Sequence, residues 1–134
     1  MIRTAQWEIE AGGQFYLVKP LTVRQRLALS EDFATESAKA AAGDAALAGL
    51  RGAEAAEFVS DARRRALNVS ALCLDCYSLH GQIRVLSAAL GDVDTAMRFV
   101  QSVAPREATN VALEALGIDT DAIAAEEAKP ASGN

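Results

Sequence analysis

Three residues that commonly bind metals or perform thiol chemistry, Cys73, Cys76 and His80, are separated by three and four positions. On an α-helix this spacing places the three side chains on one face, as in a zinc or redox site. A structural zinc ion needs four ligands, and the sequence contains no other cysteine or histidine. A redox pair needs a helix N-terminus to stabilise the thiolate, whereas a helix is predicted to continue through both cysteines. We therefore interpret them as free thiols in the core and predict no metal ion and no cofactor.

A catalytic group built on a histidine would have to use His80, because the sequence has no other. A Ser–His–Asp or Cys–His group also needs a residue that orients the histidine against the nucleophile. The nearby Asp75 is predicted to face away from Cys73, so no residue is placed for that role. The sequence therefore predicts no catalytic residue and a protein without enzyme activity.

Two pairs of carboxylates and two pairs of glycines are weaker candidates for a site. They are Asp92 with Asp94, Asp119 with Asp121, Gly12 with Gly13, and Gly49 with Gly52. Helix capping explains the first carboxylate pair and a solvated tail explains the second. The glycine pairs lack the lysine and the strand context of a phosphate-binding loop, so they are interpreted as turns.

The candidate thiols belong to residues 53–80, the stretch around which the rest of the chain is predicted to pack. This stretch has no proline and is bracketed by Gly52 and Gly81. Its apolar residues recur at steps of three and four, which is typical of a helix. Between residues 66 and 79 the pattern is apolar on most sides, which is typical of a buried helix. We therefore predict one long central helix over 53–80.

The N-terminal segment alternates between apolar and polar residues. Trp7 and Ile9 are predicted to point inward, while Glu8 and Glu10 face water, which is the period of a half-buried strand. A glycine pair then provides a turn, and an aromatic and branched segment follows as the return strand. The sequence predicts a β-hairpin over residues 5–19.

The remaining elements are predicted from their start and stop signals. Thr22 and Gln25 have the spacing of a capping box, and Gly43 is expected to end the helix that they begin. Asp92 is a candidate N-cap, and Pro105 suits the first turn of a last helix. The predicted helices are 22–42, 53–80, 92–103 and 105–116, with a mobile connector at 44–52 and an extended or short helical connector at 82–86.

These elements predict a mainly α-helical α+β fold. An N-terminal β-hairpin packs on a body of four to five helices, and residues 1–118 form a single globular domain. The last residues, 119–134, are acidic and alanine-rich, so they are expected to form a flexible tail.

Composition and charge exclude several classes of function. The 134 residues carry a net charge of −5, and residues 53–134 hold seven basic against twelve acidic side chains. Nucleic-acid phosphates are bound by a basic patch, and the basic run at 63–65 would spread around a helix instead of forming one. No apolar run is long enough to span a membrane, and the N-terminus lacks the apolar core of a signal peptide. We expect a cytoplasmic protein that binds neither nucleic acid nor membrane.

One segment resembles a known family. Residues 15–25, Phe-Tyr-Leu-Val-Lys-Pro-Leu-Thr-Val-Arg-Gln, are similar to the opening of the tail assembly chaperones of long-tailed bacteriophages, in which a short hairpin enters a helix through a Pro-Leu-Thr step. The order of elements over residues 5–117 is also similar. The alanine-rich stretch at 40–53 has no counterpart in the family pattern.

The resemblance implies a non-enzymatic role in the cytoplasm of an infected host cell. Members of the family bind the tape measure protein, keep it soluble, help to recruit tail tube subunits, and are absent from the finished particle. Many are made in two forms through a programmed frameshift. The alternative is a small structural virion subunit, such as a tail or head–tail connector component. An enzyme with an unrecognised site is the third possibility.

The hairpin and its exit are the predicted partner-binding surface. It consists of Trp7, Phe15, Tyr16, Val18 and Leu21. Four consecutive apolar residues in the return strand suggest that both of its faces are covered. One face is expected to rest on the helices. The other, with Tyr16 and Val18, is expected to receive a strand of a second copy, giving a homo-oligomer, or an apolar helix of the tape measure protein. The alternative is that a local loop or the connector at 43–52 covers it.

Overall fold

In the computed structural model, which describes residues 1–120, a three-stranded antiparallel sheet precedes six helices. The mainly helical α+β class is therefore confirmed. Most of the predicted tail lies outside the described residues. The strands are β1 (Ile2–Ala5), β2 (Glu8–Ala11) and β3 (Gln14–Leu17), and the helices are α1 (Val23–Leu47), α2 (Gly52–Ala66), α3 (Val69–Asp75), α4 (Leu79–Leu90), α5 (Val93–Ser102) and α6 (Pro105–Ala115).

The predicted hairpin is present as β2 and β3, and β1 adds a strand that the pattern did not predict. Gly12 and Gly13 form the turn with φ of 56° and 77°, the left-handed region that glycine enters without a Cβ penalty. β1 pairs with the other side of β2 in antiparallel orientation. All four of its residues are exposed, so it lacks the buried alternation by which strands are recognised. Backbone pairing with β2 and an ion pair of 2.6 Å from Arg3 to Glu114 on α6 hold this strand.

Helix α1 starts as predicted and ends later. The capping box is formed, because the Thr22 hydroxyl accepts from the Gln25 amide at 3.1 Å and the Gln25 side chain accepts from the Thr22 amide at 2.9 Å. The prediction that Gly43 ends the helix near residue 42 is wrong, since α1 continues to Leu47. The later turns pack against α2 through Ala41 and Ala45, which are buried, and this contact favours helix over the conformational freedom of one glycine.

The single central helix predicted over 53–80 is wrong. The stretch holds α2, α3 and the start of α4, with breaks after Ala66 and after Asp75. Each break precedes a polar N-cap. The Asn68 side chain accepts from the Ser70 amide at 2.7 Å, and the Ser78 hydroxyl accepts from the Gly81 amide at 3.0 Å. Side chains of this type compete with the backbone for amide protons and so begin new helices. The predicted connector at 82–86 consequently lies inside α4.

The last two helices match their predicted bounds within a residue. The Asp92 carboxylate accepts from the Thr95 amide at 2.7 Å and begins α5, and Pro105 occupies the first turn of α6. Gly91 ends α4 with φ of 104°. Start and stop signals were therefore sufficient in this part of the chain.

The largest buried side chains come from the sheet, α3 and α4–α6, and they form one cluster. Tyr16 and Phe99 meet edge to face with ring centroids 5.1 Å apart. The strand exit is tied to the helices by two backbone bonds of 2.9 Å, from Lys19 to Ala89 and from Leu21 to Ala115. We call the sheet together with α4–α6 the packed body. Its fully buried large side chains include Ile9, Val18, Val85, Leu86, Phe99 and Val111.

Helices α1 and α2 form a second unit, which we call the helical hairpin. It is built mainly from small side chains. The buried residues of α1 are one serine and three alanines, and Ala66 is the buried residue of α2. Within residues 1–120, no helix has the length and apolar character needed to cross a membrane.

Candidate binding surfaces

The structure does not assemble Cys73, Cys76 and His80 into a site. Helix α3 ends at Asp75 and helix α4 begins at Leu79, so the three residues do not share one helix. Cys76 is fully buried, its thiol lies 3.4 Å from the Leu72 carbonyl oxygen, and burial raises its pKa to about 12. The His80 side chain is 76% exposed. Across the described part of the chain, no three potential metal-binding residues are grouped.

The most concentrated charges surround Arg84. Its guanidinium binds Asp75 at 3.2 Å and Glu36 at 2.5 Å, and lies 5.4 Å from the centre of the Phe33 ring. His80 lies 3.5 Å from the same Glu36 oxygen. The hydrogen bond from Arg84 lowers the pKa of Glu36, and the same bond raises the pKa of Arg84.

This cluster joins α1, α3 and α4, and the Arg84 side chain is only 9% exposed. Both of its carboxylate partners are occupied, so we interpret it as a structural clamp between the helical hairpin and the packed body. Sequence reasoning missed it because Arg84 lies 48 positions from Glu36, and no local pattern signals such a contact.

The sheet has two different faces, which follow from its register. Arg3, Ile9 and Tyr16 are aligned across the three strands on the inner face. On the opposite side, Ile2 pairs with Glu10 and Glu10 pairs with Phe15, while Ala5 pairs with Glu8 and Glu8 pairs with Leu17. The outward positions predicted for the two glutamates therefore agree with the register, because side chains alternate between faces along each strand.

Three of the five residues predicted to bind a partner belong to the core. Tyr16, Val18 and Leu21 are 4%, 1% and 7% exposed, so the prediction that Tyr16 and Val18 face outward is wrong. Trp7 is partly buried and packs against the same core. Phe15 is 71% exposed and is the one member that lies on the outer side. The physical reason is the phase of β3, that is, which of its alternating residues face the core. Tyr16 faces inward and packs on Phe99, so its neighbour Phe15 faces outward.

A signal for this phase was present in the sequence. A turn with two central residues at Gly12 and Gly13 pairs residue 10 with residue 15 and residue 9 with residue 16, as observed. Since Ile9 was predicted to point inward, its partner Tyr16 had to do the same. The same rule would have identified Leu17, which is 57% exposed, as a surface residue.

We define the outer sheet face as Ile2, Glu8, Glu10, Phe15 and Leu17. Its three apolar side chains are 63%, 71% and 57% exposed in chain order, while the glutamates form the middle row. Within residues 1–120 neither glutamate belongs to an ion pair. The predicted alternative is that a local loop or the connector at 43–52 covers the face with Tyr16 and Val18. It is wrong for Tyr16, which packs on Phe99 of α5 within the core.

Two apolar grooves lie elsewhere on the surface. One, of about 390 Å³, runs along α3 and is lined by Val69, Cys73, Leu74, Tyr77, Leu113 and Ile118, among others. The other, of about 530 Å³, lies between α1 and α2 and is lined largely by alanines. Neither groove carries a charged pattern that would select an occupant, apart from Arg63 at the edge of the second, and Arg63 already binds Glu31 at 2.7 Å.

The outer sheet face is the strongest candidate surface of the three. It combines three exposed apolar side chains with carboxylates that have no ion-pair partner among residues 1–120, and contiguous exposed apolar side chains beside polar ones are typical of interaction sites. Comparison of the chain with protein-family models, with curated proteins and with solved structures found no match.

Proposed function

We propose that this protein is a non-enzymatic tail assembly chaperone of a long-tailed bacteriophage. It binds the tape measure protein in the host cytoplasm, keeps it soluble, and helps to recruit tail tube subunits. The proposal is supported by the resemblance of residues 15–25 to that family, where β3 leads through Pro20 into the capped helix α1.

The observation that carries the proposal is the exposure of the outer sheet face. Phe15 and Leu17 are 71% and 57% exposed although β3 also contributes Tyr16 to the core. Exposure of aromatic and aliphatic side chains to water is unfavourable, and the free energy of the system falls when another molecule covers them. An apolar helix of a client protein would supply that cover.

The charge of the chain suits the same role. The net charge is −5, and like-charged complexes repel one another, which opposes aggregation of a bound apolar client. The face itself is small, so each copy would cover a short length of client, and several copies would be needed for a long tape measure protein.

The test is co-expression with the product of the very long open reading frame that is expected beside a chaperone gene. The wild-type protein should move this product into the soluble fraction, and the Phe15→Ser, Leu17→Ser variant should not. Both side chains are exposed, so the variant should keep the wild-type circular dichroism spectrum.

A matched control is the Leu27→Ser, Leu47→Ser variant. Its two leucines on α1 are 64% and 90% exposed, so it removes a similar exposed apolar surface from a helix instead of from the sheet. It should solubilise the client as the wild type does. If neither variant changes solubilisation, the outer sheet face is not the client site.

Mass spectrometry of purified particles separates this proposal from the structural alternative. A chaperone should be missing from the finished particle, whereas a tail or connector subunit should be found there in stoichiometric amount. Detection at stoichiometric level, together with no effect on client solubility, would contradict the chaperone proposal.

A further inference from the structure

The outer sheet face has an ordered arrangement of charge as well as apolar surface. Glu8 and Glu10 occupy alternate positions of β2, the central strand. Ile2 lies beside Glu10 on β1, and Phe15 and Leu17 lie beside the two glutamates on β3. Glu10 is therefore flanked by apolar side chains on both neighbouring strands, and Glu8 is flanked by Leu17 on β3 and Ala5 on β1.

The dimensions of this face match one α-helix. Strands are spaced about 4.8 Å apart, so the width from β1 to β3 is roughly 10 Å, and a helix with its side chains is about 10–12 Å across. Glu8 and Glu10 are separated by two strand positions, or about 7 Å. Residues four apart on a helix are separated by about 6 Å along its axis, so two basic side chains at that spacing would each reach one glutamate.

We infer that the outer sheet face binds an amphipathic helix of another protein that carries lysine or arginine four residues apart among its apolar side chains. The basic residues bind Glu8 and Glu10, and the apolar residues cover Phe15, Leu17 and Ile2. The inference deepens the proposed function and rests on it for the identity of the client. Its physical basis is that carboxylates covered by an apolar helix would lose water without gaining a partner.

A second copy of this chain is a poorer occupant. Its candidate basic helix is α2, with Arg63, Arg64 and Arg65 in the last turn. Arg63 already binds Glu31, and Arg64 binds Asp61. Delivering Arg63 and Arg64 to the glutamates of another copy would break both ion pairs, and Arg65 alone is one basic residue for two glutamates. A different protein with unengaged basic residues four positions apart is therefore the better fit.

The inference can be tested with two synthetic peptides that share one set of apolar residues. The first carries lysine at the polar positions and the second carries glutamate at those positions. Isothermal titration calorimetry with the full chain should detect binding of the lysine peptide and at least tenfold weaker binding of the glutamate peptide. The affinity of the lysine peptide should fall as the salt concentration rises, because exposed ion pairs are screened.

Three variants locate the contact. Glu8→Gln with Glu10→Gln removes both charges at nearly constant shape and should weaken the lysine peptide about 2- to 30-fold, the range for two exposed ion pairs. Phe15→Ser with Leu17→Ser should weaken it on the order of tenfold. Glu54→Gln with Glu57→Gln is the control, since it changes the net charge equally on exposed positions of α2 and should leave the affinity unchanged.

Each outcome decides a separate question. Equal binding of the two peptides, no binding of either, or equal loss in the α2 control would overturn the inference. Selective binding of the lysine peptide by a protein that fails to solubilise the tape measure protein would support the inference and reject the proposed function. Solubilisation of that client without sensitivity to the Glu8 and Glu10 substitutions would support the proposed function and reject the inference.

Discussion

The packed body and the helical hairpin are stabilised in different ways. In the packed body, large side chains such as Phe99, Leu86 and Val85 are fully buried. In the helical hairpin, the buried residues of α1 are Ser30 and three alanines, and large apolar residues such as Leu47 remain 90% exposed. One region is held by the burial of large apolar surfaces, and the other by close helix contact and helix propensity.

An alanine-rich chain can still fold into a defined structure when its few large side chains are concentrated in one region. Aromatic residues make up 5% of the sequence, and two of them, Tyr16 and Phe99, contact each other in the packed body. The C-terminal half of α1 is rich in alanine and needs no such contacts, because alanine has the highest helix propensity. Large side chains are therefore concentrated where the sheet must be held against helices.

The largest predicted effect is the replacement of Phe99 by alanine. Phe99 is fully buried against Tyr16, so Phe99→Ala should lower the free energy of unfolding by about 3–5 kcal/mol. The matched substitution in the helical hairpin is Phe58→Ala, at a side chain that is 38% exposed, and it should cost about 1 kcal/mol. Urea denaturation monitored by circular dichroism measures both values, and equal costs would refute the distinction between the two regions.

Replacing one glycine by alanine in each region should give the next largest effects on the free energy of unfolding, and the two effects should have opposite signs. A Cβ at Gly81 would overlap the backbone carbonyl of Asp75, whereas a Cβ at Gly43 meets no other atom within 4 Å in the described part of the chain. Gly81→Ala should therefore destabilise the protein by about 1–3 kcal/mol. Gly43→Ala should stabilise it by up to about 1 kcal/mol, because Gly43 lies inside α1 and alanine favours the helix.

Thermal melting of the two glycine variants is sufficient for this test. A lower midpoint for Gly81→Ala and a higher one for Gly43→Ala are expected. A lower melting midpoint for both variants would show that the C-terminal half of α1 also requires a glycine at position 43.

The sequence predicted the features that depend on neighbouring residues. The capping box of Thr22 with Gln25, the Asp92 cap and Pro105 in the first turn of α6 all act within one helical turn. The glycine turn between β2 and β3 is equally local. These signals placed the hairpin, the start of α1 and both ends of α5 and α6, and through them the α+β class.

The features that depended on tertiary packing were not predictable from the pattern. Asn68 and Ser78 are compatible with a helix interior as well as with an N-cap, and here each begins a new helix. The outward position of Phe15, in contrast, follows from the turn register once Ile9 is placed inward. Of the candidate site, the turn register was therefore available in the sequence, while the Arg84 clamp required three helices to meet.

The two cysteines provide a smaller test at the boundary between the regions, since α3 contacts α1, α2 and α4. Cys76 is fully buried and Cys73 is partly buried. Cys76→Ala should cost about 1–2 kcal/mol and Cys73→Ala less, because less surface returns to water. Iodoacetamide at pH 8 should modify Cys73 faster, since burial raises the pKa of both thiols and raises that of Cys76 to about 12. Stoichiometric zinc in the purified protein would contradict the interpretation of both as free thiols.

The smallest predicted effect concerns the clamp that joins the two regions. The hydrogen bond from Arg84 lowers the pKa of Glu36, with further contributions from the charges of Arg84 and His80. A carboxylate whose pKa is lower in the folded state stabilises that state above its unfolded pKa, and the stabilisation disappears as the pH falls through the folded pKa. Asp75 is the second carboxylate of the cluster and stays bound to Arg84, so removal of Glu36 should weaken the clamp without opening it.

Glu36→Gln should therefore lower the free energy of unfolding at pH 7 by less than about 1 kcal/mol, because the Glu36 side chain is 51% exposed and solvent screens the ion pair. The difference from the wild type should shrink as the pH is lowered below about 4.5, where the unfolded state binds the proton, and vanish once the pH falls below the lowered folded-state pKa of Glu36. Glu57→Gln on the exposed side of α2 is the control and should show no difference over the same pH range. A gap that persists at the acid end of the titration, where Glu36 is protonated in the folded state, would mean that Glu36 acts through packing, and that the two regions are joined by shape instead of charge.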